Sequence, residues 1–200
     1  MKRIAVLASG EGTNLEAILE AVESGEIDGR VELVISDRGE APALKRARGR
    51  SVRALHLDPR LYRGREEYDG AVAAELQQSE IELVVLAGFM RLISPLLVRA
   101  FPMQIMNIHP SLLPSFPGTS GVKEALDYGV KVTGCTVHFV DEGLDTGPII
   151  MQETVPVLQK DTVETLHGRI HAVEYRLYPR AIQLFCLDMI KVEGRRCFIG

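Results

Sequence analysis

Short apolar runs alternate with amphipathic segments through the first half of the chain. Each run predicts a strand, and each segment with apolar residues at every third or fourth position predicts a helix. The run from Ile4 to Ala8 is apolar throughout, as in a parallel strand covered on both faces. The predicted strands are Ile4–Ala8, Val31–Ile35, Val52–His56, Ile81–Ala87 and Gln104–Ile108. The predicted helices are one capped by Thr13 or Asn14 and ended by Gly25, then Ala41–Arg48, Glu66–Gln78 and a short one from near Pro95. This alternation predicts an α/β fold with a doubly wound, mostly parallel sheet.

The pattern changes after His109. Proline and glycine crowd a loop at residues 110–118, and loops of this composition are rigid and often functional. Two apolar strands joined by a turn at 141–147 then extend the sheet in the antiparallel direction. The elements predicted in this half are a helix over Ser120–Tyr128, strands over Lys131–Val140 and Pro148–Val157, a long helix with an apolar stripe from Val163 to Leu177, and a hairpin of Met189–Val192 and Arg196–Ile199.

Composition places the chain among folded globular proteins. With 200 residues, 46% of them hydrophobic and 25% charged, we expect a single domain and no collagen-like or disordered class. A net charge of −4 argues against a nucleic-acid binder. Three widely spaced cysteines predict neither a disulfide framework nor a zinc site, and they fit the cytoplasm. The longest apolar stretch, Leu83–Met90, falls short of the roughly 20 residues that span a membrane.

The first candidate for chemistry is the turn Ser9–Asn14, between the first strand and the first helix. Its glycines let backbone N–H groups approach an anion closely, and the helix N-terminus adds its positive dipole end. The spacing is not a dinucleotide fingerprint, since Leu15 replaces the third glycine, and no Gly-Lys-Ser/Thr follows to make a P-loop. Two interpretations stay open here: a phosphate site, or a tight turn that only caps the helix.

The second candidate is the pair Asn107 and His109, at the carboxyl end of a predicted central strand. Residues two apart lie on the same face of a strand, so an amide donor and an imidazole can converge on one substrate atom. Such a pair can stabilise an oxyanion and move a proton. The alternative is a structural histidine before a proline. The other histidines are interpreted first as structural residues: His56, His138, His167 and His171.

Two further features have both a functional and a structural interpretation. Asp145 lies in a turn, and a carboxylate beside an imidazole favours its charged form, but turn aspartates often only form turns. Its 36-residue separation from His109 does not show that the two meet. The stretch from Arg38 to Arg65 holds nine Lys or Arg residues, which either form a solvated face or steer an anionic ligand.

Four motifs together closely resemble the folate-dependent formyltransferases, nearly end to end. They are Ser9–Leu15, Leu86–Arg91, Asn107–Pro114 and Asp145–Pro148. The third motif is shared by transferases and hydrolases of this group, so it indicates the chemistry rather than the substrate. The first motif favours members that act on glycinamide ribonucleotide over those that act on methionyl-tRNA, whose additional C-terminal domain 200 residues would not accommodate.

The resemblance implies a Rossmann-like formyltransferase fold and a reaction in purine biosynthesis. The amine of glycinamide ribonucleotide would attack the formyl carbon of 10-formyltetrahydrofolate, which is a cosubstrate, and no metal is implied. Asn107 and protonated His109 would stabilise the tetrahedral intermediate. Asp145 would hold His109 in its charged form and help relay the amine proton to the departing folate nitrogen.

The resemblance also implies the binding residues. Residues 1–108 would form a phosphate- and nucleotide-binding half of the single domain, and residues 109–200 a catalytic-loop and folate-binding half. The substrate phosphate is assigned to Gly12, Thr13 and Asn14, and the sugar or amine end to Glu174. The folate site is assigned to Arg65, which would pair with the glutamate carboxylate, and to Met90, Arg91, Leu92, Ile93, Asn107, Asp141, Glu142, Gly143 and Leu144. The expected partners are these small molecules, with no nucleic acid or membrane, in a monomer or a homodimer.

The sequence departs from the family pattern in the loop after the third motif. Thr119–Lys123 lacks a histidine that many members carry there, and Ser115 replaces a lysine found in some. The resemblance therefore implies no function for the residues at these positions. The alternative hypotheses are a 10-formyltetrahydrofolate hydrolase, whose typical members add an N-terminal regulatory domain, and a binding module without catalysis.

Overall fold

The computed structural model describes residues 1–200 and contains nine strands in one sheet and six α-helices. The strands are β1 (Lys2–Leu7), β2 (Gly29–Ser36), β3 (Arg53–His56), β4 (Leu83–Leu86), β5 (Ile105–His109), β6 (Val132–Phe139), β7 (Ile149–Pro156), β8 (Ile190–Glu193) and β9 (Arg196–Ile199). The helices are α1 (Thr13–Glu23), α2 (Pro42–Gly49), α3 (Arg65–Gln78), α4 (Pro95–Ala100), α5 (Gly121–Tyr128) and α6 (Val163–Cys186). Each predicted strand and helix is present to within a few residues at its ends, except that α6 continues nine residues beyond Leu177, where the predicted apolar stripe ends.

The strands follow the order β3-β2-β1-β4-β5-β6-β7-β9-β8. Strands β1 to β5 pair in parallel, whereas β6 pairs antiparallel with both β5 and β7. The predicted doubly wound, mostly parallel sheet with an antiparallel extension is therefore confirmed. The chain runs outward from β1 in both directions, and open sheets of this kind bind ligands at the carboxyl ends of the strands beside such a switch point.

Helices cover both faces of the sheet, which explains the apolar sequence of β1. Ile4 and Val6 belong to a cluster of 33 buried residues with α1, α2 and α6. Ala5 and Leu7 belong to a separate cluster of 14 with α3 and α4. Because both faces of this strand are buried, none of these four positions accepts a polar side chain without loss of stability.

Helix α6 is fixed to the sheet by a buried tyrosine. The Tyr178 hydroxyl lies 3.0 Å from the Leu86 carbonyl oxygen and 2.9 Å from the Met106 carbonyl oxygen. These carbonyls belong to β4 and β5, so α6 is held across the two strands whose ends carry the loops of the candidate site.

Two local details differ from the sequence predictions. Helix α1 is capped neither by Thr13 nor by Asn14: its N-cap is Gly12, in the left-handed conformation with φ 71°, and no side chain caps it. A short 3₁₀ helix at Pro59–Leu61 was not predicted, and the Asp58 carboxylate accepts the Arg60 amide at its start. Both segments are too short for hydrophobic periodicity to define.

The three cysteines of the chain are all unpaired. Cys135, Cys186 and Cys197 are free thiols, and burial raises the pKa of Cys135 to about 12, which keeps this thiol protonated. No helix is both long enough and apolar enough to pass through a bilayer.

Candidate active site

Strands β5 and β6 bring an amide and two imidazoles together at the carboxyl edge of the sheet. Asn107 and His109 lie on the same face of β5, as predicted from their spacing. The antiparallel register places His138 of β6 directly opposite Asn107, and the Asn107 Nδ2 atom lies 3.2 Å from the His138 Nε2 atom. Asn107 is half-buried and both histidines are buried, so their polar groups meet in a mostly dry environment.

Both ring nitrogens of His109 face oxygen atoms. The Nε2 atom donates to the Phe116 carbonyl oxygen at 2.8 Å, and the Nδ1 atom lies 3.5 Å from Asp145 Oδ2. The first contact fixes the ring plane. The second is longer than an ordinary N–H···O hydrogen bond, so Nδ1 is not committed to Asp145.

Asp145 is held in contact with His109 by two loops. Its Oδ2 atom accepts the Gly118 amide at 2.8 Å, which ties the turn after β6 to the loop after β5. Gly147 fixes the same turn, since a Cβ atom there would lie 1.8 Å from the Phe139 carbonyl oxygen. The contact that sequence separation could not establish is therefore present in the folded chain.

His138 is a site residue that the sequence analysis set aside as structural. Its Nδ1 atom lies 2.8 Å from the Phe139 carbonyl oxygen, which only accepts, so Nδ1 carries the proton and Nε2 accepts from Asn107. Burial lowers the pKa of His138 and keeps the ring neutral. The signal that could have identified it is the register of the β5–β6 pair, which sequence periodicity alone does not provide.

The turn after β1 encloses a small polar cavity of about 200 Å³. Gly12 has φ 71°, and an added Cβ atom would lie 2.8 Å from the Ala43 Cβ atom, so this position requires glycine. Backbone amides of α1 begin at this turn, and the cavity is also lined by Arg38, which adds positive charge, and by His171. The arrangement suits an anion. His171, which the sequence favours as a structural residue, lies at the wall of this cavity.

Glu174 of α6 closes the same region from the opposite end of the chain. Its Oε2 atom accepts from Asn14 Nδ2 at 2.8 Å and lies 3.9 Å from His171 Nε2. Burial raises the pKa of Glu174. The Asn14 Oδ1 atom is buried without a hydrogen-bond partner, so it is an acceptor free for a ligand hydroxyl or amine.

The residues assigned to the folate lie in the loop after β4, in the turn after β6 and at the start of α3, with Asn107 on β5. Arg65 is exposed at the first position of α3. Three large apolar side chains are exposed in the loops: Met90 (61%), Leu92 (56%) and Leu144 (52%). These side chains are therefore accessible to a ligand.

The turn at 141–145 is internally ordered. Asp141 Oδ1 accepts from the Gly143 amide at 3.0 Å and from the Thr146 hydroxyl at 2.6 Å. Glu142 pairs with Arg99 of α4 at 2.7 Å, and this guanidinium lowers the pKa of the Glu142 carboxyl. These two acidic side chains therefore shape the turn.

A larger groove of about 490 Å³ lies between α1 and α6. It contains none of Asn107, His109 and Asp145. No group of three or more His, Cys, Asp and Glu side chains is arranged as a metal site. The adjacent carboxyl ends of β1, β4 and β5, by contrast, carry the turn after β1, the loop after β4 and the Asn107–His109 pair.

A doubly wound sheet with an Asn-His-Asp cluster at the carboxyl end of a central strand fits an enzyme of acyl transfer. Residues 2–182 match the Formyl transferase family, and the chain belongs to it. The resemblance drawn from the sequence motifs is confirmed.

Within the family, the chain is similar to phosphoribosylglycinamide formyltransferases. It is 43% identical to phosphoribosylglycinamide formyltransferase of Bacillus subtilis (strain 168) over 183 residues, 92% of this chain and 94% of that protein. The structure of glycinamide ribonucleotide transformylase 1 from Symbiobacterium toebii superposes with a TM-score of 0.98 at 55% identity, covering 100% of this chain and 94% of that one. The human trifunctional purine biosynthetic protein adenosine-3 is 40% identical over 98% of this chain, which spans 20% of that longer protein.

Proposed function

We propose that the chain transfers the formyl group of 10-formyltetrahydrofolate to the amine of glycinamide ribonucleotide. The product is formylglycinamide ribonucleotide, in purine biosynthesis in the cytoplasm. The observation that carries this proposal is the meeting of Asn107, His109 and Asp145 beside an anion-binding turn. The two substrates of this reaction need adjacent sites, and the edge formed by β1, β4 and β5 offers them.

The amine nitrogen attacks the formyl carbon, and a C–N bond forms as the carbonyl oxygen becomes an oxyanion. Asn107 Nδ2 has two hydrogens, one committed to His138, and the second points to the oxyanion together with the Nδ1–H of charged His109. Preorganised donors of this kind are usually the largest contribution to catalysis of acyl transfer. The fixed plane of the His109 ring supplies the preorganisation.

Asp145 stabilises the charged ring and serves the proton transfer. The attacking amine loses one proton, and the folate nitrogen gains one as its bond to the formyl carbon breaks. The Asp145 carboxylate, 3.5 Å from His109 Nδ1, can accept and return that proton through water. The remaining contribution is the alignment of two bound substrates.

The phosphate of the ribonucleotide is assigned to the turn with Gly12, Thr13 and Asn14. Its charge meets the amides at the start of α1 and the side chain of Arg38. Glu174 and the free Oδ1 atom of Asn14 can then accept hydrogen bonds from the sugar hydroxyls or the amine. Residues 1–108 thus supply the phosphate site, and residues 109–200 complete it through Glu174.

The folate is assigned to the loops at 90–93 and 141–144. The exposed side chains of Met90, Leu92 and Leu144 suit its flat heteroaromatic ring. Exposed Arg65 suits its anionic glutamate end, and the cationic stretch that contains Arg65 favours approach of that anion.

A spectrophotometric assay with a 10-formyl folate tests the proposal. Release of the deformylated folate should require glycinamide ribonucleotide, and Asn107→Ala should remain folded but lose most of this activity. Release without the ribonucleotide would instead identify a hydrolase. If the folded protein releases no deformylated folate under either condition, it is a binding module without catalysis.

A further inference from the structure

The loop at residues 88–94 is tied down at its start. This segment leaves β4 and leads into α4. The Ser9 amide donates to the Gly88 carbonyl oxygen at 3.1 Å, and the Ser9 hydroxyl accepts the Met90 amide at 2.9 Å. The beginning of this loop is therefore fixed to the turn after β1.

The end of the loop is tied to a different element. The Ser94 amide donates to Asp69 Oδ2, on the inner face of α3, at 2.5 Å. Ser94 is also the N-cap of α4, and its carbonyl oxygen accepts the amides of Leu97 and Val98. The Asp69 carboxylate thus sets the position at which α4 begins.

Asp69 is an unusual residue for this location. It is 1% exposed, forms no ion pair, and accepts a single backbone amide. A buried carboxylate with so few partners is unfavourable for stability compared with an apolar side chain. This unfavourable placement indicates a role in positioning the loop.

The middle of the loop contacts Tyr68, the residue that precedes Asp69 on α3. The guanidinium of Arg91 lies 4.7 Å from the centre of the Tyr68 ring, in a cation–π contact. At the far end of α4, Arg99 pairs with Glu142 of the second loop. The positions of both loops assigned to the folate therefore depend on the position of α4, which α3 sets through Asp69.

We propose that Asp69 is a positioning residue that holds the 88–94 loop in the conformation that binds the folate. This inference rests on the proposed function, since the loop is assigned to the folate there. Asp69 touches no substrate. Its carboxylate preorganises Met90 to Ile93. The start of the loop also lines the cavity after β1, through Gly88 and Met90. It keeps its own hydrogen bonds to Ser9, so the loss of Asp69 should affect the folate far more than the ribonucleotide.

The experiment compares Asp69→Ala, Asp69→Asn and a matched control, Tyr68→Phe. Tyr68 precedes Asp69 in sequence, and its buried hydroxyl forms no hydrogen bond. Tyr68→Phe retains the ring beneath Arg91, so it should change neither KM value. Asp69→Ala should raise the KM for 10-formyltetrahydrofolate about tenfold, the usual effect of losing a charged hydrogen bond. The KM for glycinamide ribonucleotide should stay within about twofold of wild type. Asp69→Asn retains an acceptor oxygen and should lie between the two.

Two measurements without turnover separate this inference from the proposed function. Calorimetry with tetrahydrofolate should show the same loss of affinity in Asp69→Ala, and amide hydrogen exchange should show faster exchange at residues 90–94 in the free protein. Equal changes for both substrates, or unchanged exchange and folate affinity, would overturn the role of Asp69. If Asp69→Ala does not fold, Asp69→Asn decides by the same criteria. An inactive wild-type protein would refute the proposed function instead.

Discussion

At the scale of single residues, the chemistry depends on how His109 is held. Its Nε2 atom is committed to Phe116 and its Nδ1 atom faces Asp145 without a short hydrogen bond. We expect His109→Ala to lower kcat by about 10²–10³-fold, because one donor to the oxyanion is lost, and to leave both KM values within a few-fold. Steady-state kinetics of the purified variant measure this, and an unchanged kcat would refute the assignment.

His138 gives a second prediction, since its neutral ring orients the Asn107 amide. His138→Phe removes the acceptor at 3.2 Å, so the amide can rotate, and kcat should fall about tenfold while both KM values change little. His138→Gln offers an oxygen acceptor and should retain more activity than His138→Phe. If both variants lose equal activity, the hydrogen bond to Asn107 is not the reason.

The residues of the site differ in how far their roles could be predicted from sequence. Asn107 and His109 are two apart on one strand, so period-two geometry alone places them together. Asp145 lies 36 positions from His109, and the contact depends on how two loops fold against each other. His138 could not be found in this way, because periodicity does not specify which residue of β6 lies opposite Asn107.

At the scale of elements, the turn from β1 into α1 combines an unusual backbone with close packing. Gly12→Ala places a Cβ atom 2.8 Å from Ala43 Cβ and forces a left-handed conformation on alanine. We expect a loss of about 1–3 kcal/mol in the free energy of unfolding and weaker binding of the ribonucleotide. Gly10→Ala is the matched control, since a Cβ atom there meets nothing within 4 Å. Urea unfolding and ribonucleotide titration test both variants, and equal stability of the two would contradict this explanation.

Strands and helices were predictable because burial imposes a period on their sequences. The predicted helix over Glu66–Gln78 corresponds to α3 at Arg65–Gln78, and the predicted hairpin over 189–199 corresponds to β8 and β9. The cap of α1 was predicted wrongly, because Asn14 has a typical capping side chain that instead donates to Glu174, 160 residues away. Long-range contacts of this kind override a local preference.

At the scale of the whole molecule, several buried histidines make stability depend on pH. Burial lowers the pKa values of His138, His167 and His171 below 6.5, so the unfolded chain binds more protons than the folded chain as pH falls through 6.5. The free energy of unfolding contributed by these groups is therefore fully present above pH 6.5 and is lost below it.

Urea unfolding of the wild type at pH 7.5 and 5.5, beside a His167→Gln, His171→Gln variant, measures this dependence. The raised pKa of Glu174 acts in the opposite sense, since it makes stability fall as pH rises. Because His167 lowers this pKa, its removal in the variant strengthens the opposing effect and leaves the direction of the comparison unchanged. The wild type should therefore lose more stability than the variant between the two pH values. An equal change in both proteins would contradict the prediction.

The hydrogen bond between Asn14 and Glu174 has a consequence for the stability of the chain during its synthesis. Asn14 is synthesised 160 residues before Glu174, which follows the whole of the parallel sheet. A nascent chain that ends before α6 thus has the turn after β1 but not the carboxylate that completes it. Ligands stabilise only the form that binds them. If the proposed function is correct, the ribonucleotide should therefore protect chains that contain α6 from unfolding and degradation, and chains that end before α6 should gain no such protection.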